Sequence, residues 1–370
     1  MREHLFSYLP IAAGAFLVAL IGVALFVPRL RRFALRIGAV QDGGKPHGRG
    51  LRMHSGRVPN IGGIAIFAGF IVALLIGSVI DSLSGRHLLE PYRVQLLAIV
   101  LGAALMTLVG FIDDLWEVPP AMRLGTQFVA AGILVVNGVK IDFITNFLGG
   151  TPYIFFSEPL AIAVTILWVV GFTNAFNFID GLDGLSSGIA TIASFSLLAV
   201  ALQFDDRGAA VLLLAALAGA ALGFLRHNFN PATIIMGDSG AYLLGYTLAA
   251  VSVLGALKVT AAVAVAAPIL ILALPVINIT QVTLRRLWRG ASPALAANDH
   301  LHDMIRERSG SKRLTVVILW LVTLLLGVMG MMISRTPPEL MYLTIAATVL
   351  LMAAVSLMRL RDAARESAAA

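Results

Sequence analysis

The sequence predicts an all-α integral membrane protein, a polytopic bundle of about eleven transmembrane helices, with ten as the other reading. Three observations predict it. Of the 370 residues, 59% are hydrophobic before the 35 glycines are counted, and only 13% are charged. An ordinary soluble domain is about 25% charged. The mean hydropathy is +0.90, and apolar runs long enough to cross a hydrocarbon core about 30 Å thick recur along the whole chain. So little polar surface cannot cover a soluble globule, which excludes a cytosolic enzyme or a nucleic-acid module.

Taken in order, the apolar runs place spans at roughly 5–28, 60–80, 94–112, 122–139, 159–176, 184–204, 208–225, 240–257, 259–284, 314–334 and 338–358. The first is too long for a signal-peptide core and lacks a basic stretch before it, so it reads as a retained span. The fourth is short. The sixth and seventh are divided only by Asp205, Asp206 and Arg207. Between spans four and five, Thr, Tyr, Phe and Ile around Gly149-Gly150 suggest a short hairpin near 140–158, outside the membrane. Residues 1–362 form one domain, and 363–370 read as a frayed, flexible tail.

Basic residues orient this parse. Twenty of the 27 Lys and Arg residues fall on the side that holds the C-terminus and the long connections 29–57 and 285–313. The positive-inside rule makes that side cytoplasmic, with the N-terminus outside. The net charge of +7 is thereby explained by topology and by attraction to anionic membrane lipids, with no call on nucleic acid. The chain has no cysteine, which removes disulfides, thiolate catalysis and Cys-ligated zinc.

Charges at membrane depth are costly and mark candidate sites. Asp113 and Asp114 end span three; Asn174, Asn177, Asp180 and Asp183 lie in the connection after span five. Asp238 precedes span eight, and His300 and His302 sit in the last long loop. All converge on the cytoplasmic face, beside the two basic clusters. Carboxylates and an amide without Cys favour a hard cation such as Mg²⁺, and neighbouring cations suit phosphate. Together they point to metal-assisted phosphoryl transfer at the membrane surface. Each element also has a plainer reading: a solvated helix end at Asp113-Asp114, an Asx turn at 174–184, an N-cap at Asp238. A transporter would place its polar groups mid-span in repeated halves, and no such repeat is visible.

Five stretches taken together resemble the polyprenyl-phosphate N-acetylhexosamine-1-phosphate transferase family. They are Arg52-Met-His54-Ser-Gly-Arg57-Val-Pro59-Asn-Ile-Gly62-Gly63, Gly110-Phe-Ile-Asp113-Asp114, the block from Asn174 to Gly184, Asn228 to Gly240 with its Met-Gly-Asp-Ser-Gly core, and Asp299-His300-Leu-His302. The first stretch is more like the undecaprenyl-phosphate GlcNAc-1-phosphate branch than the phospho-N-acetylmuramoyl-pentapeptide branch of peptidoglycan synthesis, which carries a Pro-Thr-Met-Gly-Gly run.

The resemblance implies transfer of a sugar-1-phosphate from a UDP-N-acetylhexosamine to undecaprenyl phosphate, with release of UMP, at the cytoplasmic face of the inner or plasma membrane. This would start a lipid-linked cell-envelope glycan. It implies Mg²⁺, with Mn²⁺ as a substitute, held by Asn177 and Asp238. Asp113 and Asp114 would stand by the acceptor phosphate, and Asp180 and Asp183 would hold the loop after span five on the uridine side. His300, His302 and Arg289 would contact the diphosphate or sugar, with Arg52, His54 and Asn174 among the substrate-binding residues. A homodimer is in keeping with the resemblance. Three positions depart from the pattern. Ala121 stands where the family has a Lys, with Arg123 two residues later; Asp303 stands in place of a third His, and Ile235 in place of an aromatic residue.

Overall fold

The computed structural model describes residues 2–41, 58–146, 153–256, 266–288, 290 and 300–369. The chain is an all-α bundle. Its first helices are α1 (Arg2–Ile37), α2 (Gly62–Leu83), α3 (Arg93–Trp116), α4 (Pro120–Val136) and α5 (Glu158–Ile179). Next come α6 (Leu185–Ala201), α7 (Gly208–Asn228), α8 (Gly237–Ala256), α9 (Ala266–Ile271) and α10 (Ala273–Trp288). The chain finishes with α11 (Leu301–Ser309), α12 (Lys312–Ile333) and α13 (Pro338–Ala369). Among the described residues, seven helices are long and apolar enough to cross a membrane. Helices α4 and α6 are apolar but shorter, at 17 residues each, which corresponds to about 26 Å of rise.

Three local outcomes differ from the even run of spans. The predicted ninth span at 259–284 begins outside the described residues, and its described part is broken into α9 and α10. Pro275 lacks the N–H that would continue the ladder back to Ile271, so an uninterrupted helix is unavailable there. The expected hairpin forms as two antiparallel strands, β3 (Phe143–Thr145) and β4 (Tyr153–Phe155), with Phe143 opposite Phe155. A second short pair, β1 (Val40–Gln41) and β2 (Val58–Pro59), was not foreseen; Val40 lies opposite Pro59. At the C-terminus, the residues read as a frayed tail continue α13 to Ala369. The run is rich in Ala, Arg and Glu, which are strong helix formers.

Helix α7 is the centre. Every residue from Gly208 to Leu225 is buried, because α1, α2, α6 and α13 pack around it. Its Ala- and Gly-rich surface permits close crossing: a Cβ on Gly219 would sit 2.2 Å from the Phe16 carbonyl oxygen of α1, and one on Gly223 would sit 2.5 Å from that of Leu20. Small residues four apart are how helices approach when lipid removes the hydrophobic drive to associate. Beside this group, α8 packs against α3, α5 and α2, and α12 against α6 and α9. Large apolar side chains such as Leu75, Leu167, Leu325 and Leu350 face outward, as a lipid-facing rim requires.

The charged features sort by end of the bundle. At one end, Asp81 at the close of α2 accepts the Leu88 and Leu89 amides at 3.0 Å each, so it closes a turn. The other end holds the start of α2, the ends of α1, α3, α5, α7 and α13, and the start of α8. The N-terminus of α1 therefore lies at the end opposite the polar cluster, and the end of α13 lies beside it.

The α1–α7 crossing gives a direct test. Gly219→Ala is expected to cost about 1–3 kcal/mol of stability by overpacking. Gly132→Ala, on α4 where an added Cβ meets nothing within 4 Å, should be neutral or stabilising by up to about 1 kcal/mol. Thermal unfolding of the two variants in detergent separates them, and an unchanged midpoint for Gly219→Ala would place the crossing elsewhere.

Candidate active site

The site is built on the N-terminus of α8. A helix start leaves amide donors without intrahelical partners, and here a carboxylate from another helix supplies them. Asp114 Oδ1 accepts the Asp238 amide at 2.7 Å, and Oδ2 accepts the Ser239 hydroxyl at 2.8 Å and the Ser239 amide at 3.2 Å. The Asn60 side-chain amide donates to Asp114 Oδ1 at 3.1 Å. Asp114 is thus a cap for α8 delivered from the end of α3.

Glycine makes that contact possible. Gly237 has φ +74°, and a Cβ there would meet Asp114 Oδ2 at 2.4 Å; a Cβ on Gly110 would meet the Ser239 Cα at 2.4 Å. A Cβ on Gly63 would sit 2.2 Å from the Gly240 nitrogen. Backbone bonds complete the seam: Ile235 N–H donates to the Pro59 carbonyl at 2.8 Å, Gly62 N–H to Ile235 at 3.0 Å and Gly63 N–H to Met236 at 2.8 Å. The glycine pair, the Gly-x-x-Asp-Asp run and the Met-Gly-Asp-Ser-Gly run are therefore three walls of one junction.

From this junction Asp238 Oδ1 meets the Asn177 side-chain amide at 2.5 Å. Asp180, half-buried one turn further on, has its carboxyl pushed up to about 7 by burial, with the Asp238 and Asp183 charges adding to it. Asp183 faces the segment after α7: it accepts from the Asn230 side chain at 2.8 Å and from the Ala232 amide at 3.2 Å. Asn228 ties the same segment, accepting the Gly184 amide at 2.9 Å and donating to the Ile234 carbonyl at 3.0 Å.

The other aspartate of the pair, Asp113, points away from α8. Its Oδ2 takes the Arg123 guanidinium at 2.9 Å, with both side chains under 8% exposed, and Oδ1 accepts the Val118 amide at 2.7 Å. One turn along α4 from Arg123, Gln127 pairs with Asn174 through two amide bonds of 2.6 and 3.4 Å. Asn174 therefore joins α5 to α4, three residues from Asn177 on the same helix.

Helix α11 covers this end. The His302 ring sits on the Asp180-Gly181 turn, where a Cβ on Gly181 would lie 2.1 Å from its Nε2. His300 stacks on His302 at 5.3 Å and packs against Phe178 at 5.6 Å. Asn278 of α10 holds α11 by accepting the Leu301 amide at 2.9 Å. Burial pushes the His302 imidazole down to about 3, and the neighbouring His300 and Arg306 add to the shift. The ring is therefore neutral at neutral pH. Asp303 is buried beside it and pairs with Arg306 at 3.2 Å.

Residues 96–256 match the family described as Glycosyl transferase family 4. A Bacillus subtilis (strain 168) protein named a probable undecaprenyl-phosphate N-acetylglucosaminyl 1-phosphate transferase is 30% identical over 326 residues, covering 86% of this chain and 84% of that one. The chain belongs to the polyprenyl-phosphate sugar-1-phosphate transferases of this family. A decaprenyl-phosphate N-acetylglucosaminephosphotransferase of Mycobacterium tuberculosis (strain ATCC 25618 / H37Rv) is 31% identical over 310 residues, 79% of this chain and 75% of that one. A phospho-N-acetylmuramoyl-pentapeptide-transferase of Shouchella clausii (strain KSM-K16) is 31% identical over 334 residues, 86% of this chain and 95% of that one.

For a transferase of this family the described residues bring together Asp113, Asp114, Asn174, Asn177, Asp180, Asp183 and Asp238 at one end of the bundle, with His300 and His302 over them. Arg52, His54 and Arg289 lie outside the described residues. Sequence reasoning missed Asn60, Gln127, Asn228 and Asn278 as partners. Gln127 and Asn278 are amides within apolar helical runs, a signal that could have flagged them.

The donor set suits a divalent cation that arrives with phosphate. Among the described residues no three His, Asp or Glu side chains could hold a metal alone, whereas Mg²⁺ commonly takes one or two carboxylates plus substrate phosphates. Asp238 offers a carboxylate. Asn177 offers a carbonyl oxygen once its side-chain amide rotates. The Asp238 and Asp183 charges both bear on Asp180, and a cation there would relieve that repulsion.

Two tests follow from this geometry. Arg123→Ala strands Asp113 in the interior and should cost about 3–5 kcal/mol, while the double change Arg123→Gln with Asp113→Asn recovers most of the loss; denaturation in detergent reads both. His302 is neutral when folded but takes up a proton near pH 6.5 when unfolded. Its contribution is intact above pH 6.5 and is lost on acidification toward 3, at about 1.4 kcal/mol per pH unit. In His302→Asn the stability decline between pH 6.5 and 5 should be shallower by that amount.

Proposed function

We propose that the protein transfers N-acetylglucosamine-1-phosphate from UDP-N-acetylglucosamine to undecaprenyl phosphate, releasing UMP and starting a lipid-linked envelope glycan. The observation that carries this reading is the junction itself. Asp238, Asn177 and Asp180 meet where α5 ends and α8 begins, directly beside the Asp113-Asp114 end of α3.

Asp238 and Asn177 would hold Mg²⁺ (or Mn²⁺), which supplies charge neutralisation on the donor pyrophosphate. Asp114 fixes where Asp238 stands, since both of its oxygens grip the start of α8. The acceptor is a phosphate monoester and is already a nucleophile, so the protein's task is alignment and charge relief. An acceptor oxygen attacks the sugar-bearing phosphorus, the bond to the bridging oxygen breaks, and its electron pair leaves with UMP. Asp113 stays paired with Arg123 and lines the acceptor side. The stacked His300 and His302 rings beside Asp180 and Gly181, with Phe178 tilted against His300, offer an aromatic surface on the uridine side.

The placement supports a cytoplasmic active site in the inner or plasma membrane. Arg31, Arg226 and Arg313 all lie at the junction's end of the bundle, as the positive-inside rule expects, and suit anionic lipid headgroups. The peptidoglycan precursor remains a second donor because relatives of both kinds match over most of the chain.

The test is UMP release by purified protein given undecaprenyl phosphate, Mg²⁺ and a panel of UDP-sugars. Release with UDP-N-acetylglucosamine, abolished in folded Asp238→Ala, is expected. Release only with the muramoyl-pentapeptide donor would move the protein to the peptidoglycan step. Near-normal turnover in Asp238→Ala would remove the metal assignment.

A further inference from the structure

Three arginines from three distant parts of the chain converge on one short stretch of backbone. Arg31 Nε of α1 donates to the Thr233 carbonyl at 3.1 Å, Arg313 Nε of α12 to the Asn230 carbonyl at 3.1 Å, and Arg359 Nε of α13 to the Pro231 carbonyl at 2.9 Å. Arg359 is 3% exposed, a burial that an arginine tolerates only where it is hydrogen-bonded. Its other partner is the exposed Glu366, at 3.3 Å or more, so the Pro231 carbonyl is the better-formed contact.

That stretch connects two carboxylates of the site. On its inner side Ala232 N–H and the Asn230 side chain bind Asp183; four residues on, its backbone pairs with Pro59, Gly62 and Gly63 before turning at Gly237 into Asp238. The arginines pull on its carbonyls from outside while Asp183 holds its donors from inside. We propose that Arg359, Arg313 and Arg31 form a clamp on residues 230–233, with Arg359 as its buried arm, and that they act as positioning residues for Asp183 and Asp238. The last helix, outside the stretch matched to the family, thereby becomes part of the site's support. The proposal rests on the transferase reading for its kinetic consequence, but its structural consequence stands apart from it.

The experiment compares full-length wild type, Arg359→Gln, Arg359→Lys, Arg313→Gln and Glu366→Gln in detergent, by amide hydrogen exchange and by UMP release. In Arg359→Gln the amides of residues 232–236 should exchange faster while those in the middle of α8 keep their protection. The kcat should fall on the order of tenfold or more, as misplacement of a reacting group costs, with the acceptor KM little changed and the Mg²⁺ requirement raised. Arg359→Lys should recover part of both effects, and Glu366→Gln should match wild type. If Arg359→Gln does not fold, Arg313→Gln on the exposed arm should show the same local rise in exchange. Unchanged exchange at 232–236 in the arginine variants, or an equal change in Glu366→Gln, would overturn the clamp. Wild type inactive with every donor, yet showing the exchange pattern, would overturn the transferase reading and leave the clamp standing.

Discussion

The bond on which the rest depends joins the Asp114 carboxylate to the first amides of α8. A helix N-terminus left without partners inside a membrane protein would strand several donors; Asp114 takes two of them, the Asp238 and Ser239 amides, and also accepts the Ser239 hydroxyl and the Asn60 side chain. The same bonds fix the distance between the ends of α3 and α8, and so set where Asp238 stands relative to the end of α3. Because the carboxylate reaches the backbone itself, no side chain fits between, and Gly110, Gly63 and Gly237 line the contact. Glycine here is the geometric condition for bringing acidic groups onto a backbone.

Around that bond the acids divide into different duties. Asp114 and Asp183 bind backbone and hold segments in place. Asp113 is neutralised by a buried guanidinium. Asp180 and Asp238 remain crowded with like charge, which is the arrangement that gives a divalent cation something to do. A set of aspartates that looks uniform in composition thus divides into two that bind backbone, one held in a buried ion pair and two that lie close to each other. Arg123 has a related consequence: by pairing with Asp113 across α3 and α4, it places a cation beside the aspartate pair although Ala121 occupies the position of the expected Lys.

Much of the fold was legible in the sequence. Hydropathy alone marks membrane helices, because a lipid environment forces backbone bonds to be satisfied within each segment, and the aromatic run around Gly149-Gly150 correctly announced the β3–β4 pair. The convergence of Asp113, Asp114, Asn177, Asp180 and Asp238 on one end was also visible, since alternating spans bring their connections to the same side. The break between α9 and α10 escaped the span count because a 26-residue apolar run with two prolines still averages as hydrophobic. Helicity to Ala369 escaped because the end of a chain carries no hydropathy signal of its own.

By itself, then, the sequence determined the class of protein, the end of the bundle where its acidic and amide side chains gather and the family whose motifs it carries, because each depends on residue type and spacing along the chain. The tertiary structure decided partners. Asp114 rather than Asp113 caps α8, across 124 positions; Asn174 pairs with Gln127; and arginines from both ends of the chain reach the carbonyls of residues 230–233. No periodicity encodes those pairings. They are set by which backbone groups lack a partner once the helices have packed, and that accounting closes only in three dimensions.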